Sequence, residues 1–232
     1  MVKIGFIGSY DKTDSIIYVA KILTMLGKKV LVIDTTVDQK ARYVVPVINP
    51  TRCYVTEFEE IDIAVGFKEM QGIRQYLGLQ DAENMEYDII LIDADKTESI
   101  IEFDLKNADK NYFVTSFDLY SLKKGLEVLN TLPEPLEMTK MLFSKDMLKE
   151  EDEYLNFLSK DSKVKWSDYK IYFPITIEDL NVIAENQRVE KIKFKKLSDA
   201  YKSSLQFVTE EIAKDISANE VRKAIKNIEK GA

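Results

Sequence analysis

Residues 2–15 read V-K-I-G-F-I-G-S-Y-D-K-T-D-S, and residues 27–34 read G-K-K-V-L-V-I-D. The first stretch opens on a short, mostly apolar run over 3–7, the pattern of a strand buried on both faces. A polar turn over 8–11 leads into Lys12-Thr13. Ile16, Ile17, Val19, Ala20, Leu23 and Leu26 then recur at helical spacing, and Gly27 supplies the stop. The second stretch is another buried strand, and it closes on Asp34. Strand, turn, helix and strand in this order form the crossover unit of a parallel sheet.

The same alternation continues outward. An irregular stretch holds Pro46 and Pro50, and 53–58 and 61–67 read as short strands or extended segments. A helix over 68–77 places Met70, Ile73 and Leu77 on one face. Y-D-I-I-L-I-D, residues 87–93, is a central parallel strand closed by an acid. Further strands fall at 111–116, 139–143 and 169–173, the last ended by Pro174. Helices are predicted over 121–132, 150–158, 191–208 and 219–230. The expected architecture is α/β: a single doubly wound, mostly parallel sheet with helices on both faces, forming one domain over 1–232.

Composition narrows the chemistry. The chain has 232 residues, a net charge of −7, one cysteine and no histidine. The absence of histidine excludes histidine acid/base chemistry, and with only Cys53 neither zinc nor haem is expected. A single cysteine fits a reducing compartment, and no signal peptide or bilayer-length apolar run is visible, so the expected location is cytoplasmic. The acidic balance gives no strong nucleic-acid signal, and the basic run K-I-K-F-K-K over 191–196 reads as a solvated helix face. The last helix carries Val221, Ala224, Ile225 and Ile228 on one face without aromatics or leucine, which favours packing over membrane contact.

Ligands of open parallel sheets bind beyond the carboxyl ends of the strands. Lys12-Thr13, Asp34 and Asp93 fall there, as a phosphate-binding lysine, a second acid and a metal-side acid would. The complete phosphate-loop pattern is G-x-x-x-x-G-K-[ST], and Phe6 and Asp11 stand where its glycines belong. Only Gly5 and Gly8 lie near the turn. A carboxylate beside a phosphate at about 4 Å is repelled by roughly 4 kcal/mol at an effective dielectric near 20. Simpler roles compete at each position. Lys12-Thr13 is equally a helix start, with Thr13 or Asp11 as N-cap. Asp34 and Asp93 are equally acids capping the turn after a strand, and Tyr10 stacks on a base or covers the sheet edge. The Asp93-Ala94-Asp95 pair is either an exposed acid pair or a water-bridged Mg²⁺ site.

The order of these features resembles the bacterial ParA/MinD family of deviant Walker A ATPases, of the SIMIBI P-loop class, which includes TadZ-like pilus-assembly relatives. G-K-K-V-L-V-I-D-T-T-V-D-Q is similar to that family's G-x-x-V-L-L-I-D-x-D-x-Q, and Y-D-I-I-L-I-D to its Y-D-x-I-I-I-D. N-A-D-K-N-Y-F-V-T-S-F-D-L-Y-S-L resembles its A-D-x-V-L-V-V-T-x-P-x-x-x-S-L strand and helix. The resemblance implies a site with Lys12 and Asp34 as catalytic residues, Thr13 and Asp93 on Mg²⁺, and Gly8, Ser9, Tyr10, Asp11, Lys12, Thr13 and Asp14 against ATP. The family loop is K-G-G-x-G-K-T; here Ile7 occupies the place of its signature lysine, Ser9 and Asp11 replace glycines, and D-x-D becomes Asp34-Thr35-Thr36. The departures imply a degenerate positioning or assembly factor that works through protein partners, itself included as a homodimer, with weak or no hydrolysis. The alternative is an active Mg-dependent ATPase of partitioning or of pilus or secretion-system localisation.

Overall fold

The computed structural model describes residues 1–48, 51–79, 85–144 and 149–231; Pro50 of the irregular stretch lies outside them. In chain order the elements are β1 (Val2–Ile7), α1 (Thr13–Met25), β2 (Val30–Asp34), α2 (Ala41–Val44), β3 (Tyr54–Phe58), β4 (Ile61–Val65), α3 (Met70–Tyr76), β5 (Ile89–Ala94) and α4 (Thr97–Glu102). They continue with β6 (Lys110–Ser116), α5 (Leu119–Asn130), β7 (Leu136–Phe143), α6 (Lys149–Leu158), β8 (Val164–Phe173), α7 (Ile177–Val189), α8 (Asp199–Ile212) and α9 (Ala218–Lys230).

The strands form one eight-stranded sheet in the order β3-β4-β2-β5-β1-β6-β7-β8. All neighbours pair parallel except the β3–β4 hairpin at one edge. The chain winds from β1 to the β2 side, returns through β5, and then builds the β6 side, so the expected doubly wound, mostly parallel sheet is present.

Alternation along each central strand feeds two cores. Ile4 and Phe6, Val30 and Val32, and Ile89 and Leu91 face the side holding α1, α7, α8 and α9. Ile7, Leu31 and Ile33, and Ile90 and Ile92 face the side holding α3, α4 and α5. With both faces covered, these strands read as continuous apolar runs. Asp34 and Asp93 are register partners across β2 and β5. By the same alternation both carboxylates project toward the α1 side.

Three predictions in the C-terminal third need correction. Helix α7 falls between the predicted elements because its polarity pattern is inverted: Ile177 and Leu180 are exposed, whereas Asp179 and Asn186 are buried. Asp179 closes a capping box with Thr176, and the Asn186 amide donates to the Tyr18 hydroxyl and the Lys193 carbonyl. The helix expected over 191–208 starts only at Asp199, behind the Ser198 cap. The basic run is therefore not a helix face; Ile192, Phe194 and Leu197 turn inward. Finally, β8 begins five residues earlier than expected, at Val164 rather than at residue 169.

Helix α9 is tied to the core. Val221, Ala224, Ile225 and Ile228 are buried in the α1-side cluster, and a Ser217–Glu220 capping box sets its start.

Candidate functional site

The turn after β1 is held by close backbone approach. Gly8 has φ +141°, and a Cβ there would lie 2.1 Å from the Val114 carbonyl oxygen. Its amide donates to the Ala94 carbonyl of β5 at 2.9 Å. The turn is thereby pressed against both β5 and β6, and only glycine satisfies the position. Helix α1 then begins at Thr13 with Lys12 at the N-cap and no side-chain cap, so neither Thr13 nor Asp11 plays the capping role considered above.

Lys12 is 3% exposed. Its Nζ lies 2.6 Å from Asp93 Oδ1 and donates to the Gly8 carbonyl at 2.7 Å. Thr13 Oγ1 donates to the other Asp93 oxygen at 3.1 Å. Lys12, Thr13 and Asp93 are thus brought together as the motif predicts, and they are bonded to one another. Burial pushes the Asp93 carboxyl up to about 6; the Lys12 ammonium opposes this and the neighbouring Asp34 adds to it.

Asp34 is fully buried and makes local bonds. Oδ1 accepts from the Thr36 amide at 3.0 Å and the Thr36 hydroxyl at 2.6 Å, and Oδ2 accepts from the Ala41 amide at 2.9 Å. It holds the β2–α2 turn, which is the structural role weighed for it. Asp95 lines the same cleft as Asp93 but is bonded elsewhere. Its carboxylate accepts from the Val37 amide at 3.1 Å, and burial raises its pKa.

At the mouth of the cleft, Lys40 reaches Asp11 at 2.6 Å and Asp14 at 2.5 Å. Burial alone would lower the Lys40 pKa; the charges of Asp14 and Asp11 outweigh it, and the ammonium stands above its ordinary value. Gln187 of α7 donates to both Asp14 oxygens, at 2.8 and 3.0 Å. Lys40 and Gln187 were not singled out from the sequence. For Lys40 the signal was its place just after the V-D-Q stretch; for Gln187, 173 residues from Asp14, there was none.

Tyr10 covers apolar surface. Its ring stacks on Phe143 at 4.8 Å, and Phe143 stacks in turn on Phe173 at 4.8 Å. Burial raises the Tyr10 pKa. A cleft of about 480 Å³ remains, bounded by Gly8, Ser9, Asp11, Thr36, Asp38 and Tyr43 among others.

No protein-family profile matches the sequence, and no curated protein does. Solved structures match in fold. MinD in the MinC:MinD cell division protein complex from Aquifex aeolicus is 14% identical, with a TM-score of 0.57, covering 94% of this chain and 97% of that one. A ParA family ATPase from Chlorobium tepidum TLS is 12% identical, with a TM-score of 0.57, covering 89% and 96%. A putative plasmid partition protein from Borrelia burgdorferi B31, solved with AMPPNP bound, is 18% identical, with a TM-score of 0.54, covering 93% and 100%. The chain has the ParA/MinD-type P-loop fold over nearly its whole length.

Proposed function

We propose that this chain is a ParA/MinD-fold positioning or assembly factor that acts through protein contacts and hydrolyses ATP weakly or not at all. The observation that carries this reading is the inward lock of Lys12, with Nζ between Asp93 Oδ1 at 2.6 Å and the Gly8 carbonyl at 2.7 Å. A P-loop lysine reaches the β/γ-phosphates of its nucleotide, and to do so Lys12 would have to give up both of these contacts, leaving the buried Asp93 without its cation.

The surrounding residues fit a magnesium triphosphate poorly. Asp11, Asp38, Asp93 and Asp95 line the cleft against Lys12 and Lys40. Both cations are already neutralised by carboxylates. On the metal side, Asp93 has one oxygen on Lys12 and the other on Thr13. A nucleotide would have to break a buried ion pair and enter a cleft with an excess of acids. Protein contact is supported by the rim, where Val37 is 70% and Tyr43 80% exposed. The fold serves a protein–protein complex in the MinC:MinD structure from Aquifex aeolicus. The proposed partners are another protein and a second copy of this chain.

Titration calorimetry with Mg·ATP, together with a phosphate-release assay, tests the reading. The expected outcome is no binding below millimolar concentration and no turnover above background. Tight Mg·ATP binding with turnover that Lys12→Ala abolishes would overturn it and restore the ATPase reading of the motif.

A further inference from the structure

A larger cavity, about 710 Å³, opens beside the carboxyl ends of β2, β4 and β5. Lys12, Asp93 and the β1–α1 turn do not line it. Its size falls within the range of small-molecule sites, roughly 300–1,000 Å³. Four cations border it: Arg42, Arg52, Lys68 and Lys96.

Arg42 is the fixed member of this set. Its guanidinium donates to Gln39 Oε1 at 2.9 Å, to the Thr51 carbonyl at 3.2 Å and to the Arg52 carbonyl at 2.8 Å, and it lies over the Tyr54 ring at 5.4 Å. Every acceptor is neutral. The side chain is held in one orientation while its charge has no carboxylate partner among the described residues. Arg52, Lys68 and Lys96 likewise end in no ion pair among the described residues. In a chain of net charge −7, these four cations border one cavity without an ion pair among the described residues, and Arg42 is held there by neutral acceptors alone.

The floor of the cavity is built for close approach. Gly66 has φ +88°, and a Cβ there would meet the Arg52 carbonyl at 2.1 Å and Arg42 Nη2 at 3.0 Å. Glycine at this point lets the β4 end, the Arg52 backbone and the Arg42 guanidinium converge. The lining also carries Glu98 and Glu102 of α4, and Glu69 next to Lys68 in the chain. None of these acids makes an ion pair with the four cations among the described residues, so the cavity presents both free cations and free carboxylates.

We propose that this cavity is a binding site for a small organic oxyanion, a phosphate ester or a carboxylate. Its charged group is received by Arg42, Arg52 and Lys68, and its hydroxyl or amino donors are received by Glu98 and Glu102. Four of the five Arg42 N–H groups are taken by Gln39 and by the Thr51 and Arg52 carbonyls, so Arg42 contributes a fixed positive charge, while the Arg52 guanidinium supplies the paired N–H donors that suit carboxylates and phosphates. The site is separate from the Lys12 cleft, and the inference stands or falls independently of the reading given to that cleft.

The test uses the full ¹⁵N-labelled chain titrated to 10 mM with glucose 6-phosphate, citrate or glucose, at ionic strength matched with NaCl. Amides of Gln39, Arg42, Gly66, Phe67 and Ser99 are expected to shift with glucose 6-phosphate or citrate and not with glucose. The responding arm tells a phosphate site from a carboxylate site. Arg52→Ala/Lys68→Ala removes two exposed cations and should fold normally. It is expected to weaken the response at least tenfold, whereas Lys165→Ala, an exposed lysine on β8, should leave it unchanged. No shift with either anion overturns the proposal, as does a response that persists in the double variant or falls equally in Lys165→Ala.

Discussion

Removing Lys12 should damage the fold more than any nucleotide chemistry. The ammonium and Asp93 Oδ1 are 2.6 Å apart, and their side chains are 3% and 2% exposed. At an effective dielectric near 20, that separation corresponds to roughly 6 kcal/mol of attraction. Burial opposes it. The Asp93 carboxyl stands at about 6 against an ordinary 3.8, so desolvation outweighs the attraction for this group. At 1.36 kcal/mol per unit, the excess is about 3 kcal/mol. Such a pair is worth little against two neutral groups of similar shape, yet breaking it from one side strands a buried charge at a cost of roughly 3–5 kcal/mol. Lys12→Met and Asp93→Asn should therefore each destabilise by about 3 kcal/mol or more, and the double variant by about 1 kcal/mol, a coupling of several kcal/mol. Urea unfolding at pH 7.5, followed by far-ultraviolet circular dichroism and by the fluorescence of Trp166, the single tryptophan, measures all four corners of the cycle. Additive effects, or single variants within about 1 kcal/mol of the parent, would refute the argument. A lysine kept for phosphate would show the opposite pattern: unchanged stability and lost ATP binding.

The same buried acid sets a pH dependence. Its folded pKa lies above its unfolded value, so its contribution favours folding below about pH 4 and is lost as pH rises through about 6. Relative to Asp93→Asn, the parent should lose up to about 3 kcal/mol between pH 4 and 7, and a flat difference would argue against the assignment. Gly8→Ala forces a Cβ to 2.1 Å from the Val114 carbonyl at φ +141°; we expect a loss of about 3 kcal/mol or more, read from the urea midpoint. The β3–β4 turn holds Glu59 and Glu60 at φ 52° and 67°. Glu59→Asn/Glu60→Gly should raise the melting temperature by about 2–4 °C, from about 1 kcal/mol of relieved strain, and a fall would show that the Lys21 contacts to this turn dominate. Ile225→Ala in α9 should cost about 2–4 kcal/mol, because the stripe it belongs to is core; a silent substitution would reopen a surface role for that helix.

The strand-turn-helix-strand opening, the parallel sheet wound both ways from β1, and the clustering of Lys12, Thr13, Asp34 and Asp93 beyond the strand ends were all determined by the sequence alone. These features rest on patterns that repeat along the chain: two-residue alternation or apolar runs for strands, 3.6-residue recurrence for helices, glycine at stops. Each is reinforced by many neighbouring residues, so no single contact decides it. Where polar residues took core positions, as Asp179 and Asn186 do in α7, the pattern misled. Only the tertiary structure decided where Lys12 points, that Lys40 spans Asp11 and Asp14, and that Arg42, Arg52, Lys68 and Lys96 border one cavity. Each of these is a single polar contact or convergence between separate segments. Its direction follows from which partner is nearest once the chain has closed, and spacing along the chain carries no record of that.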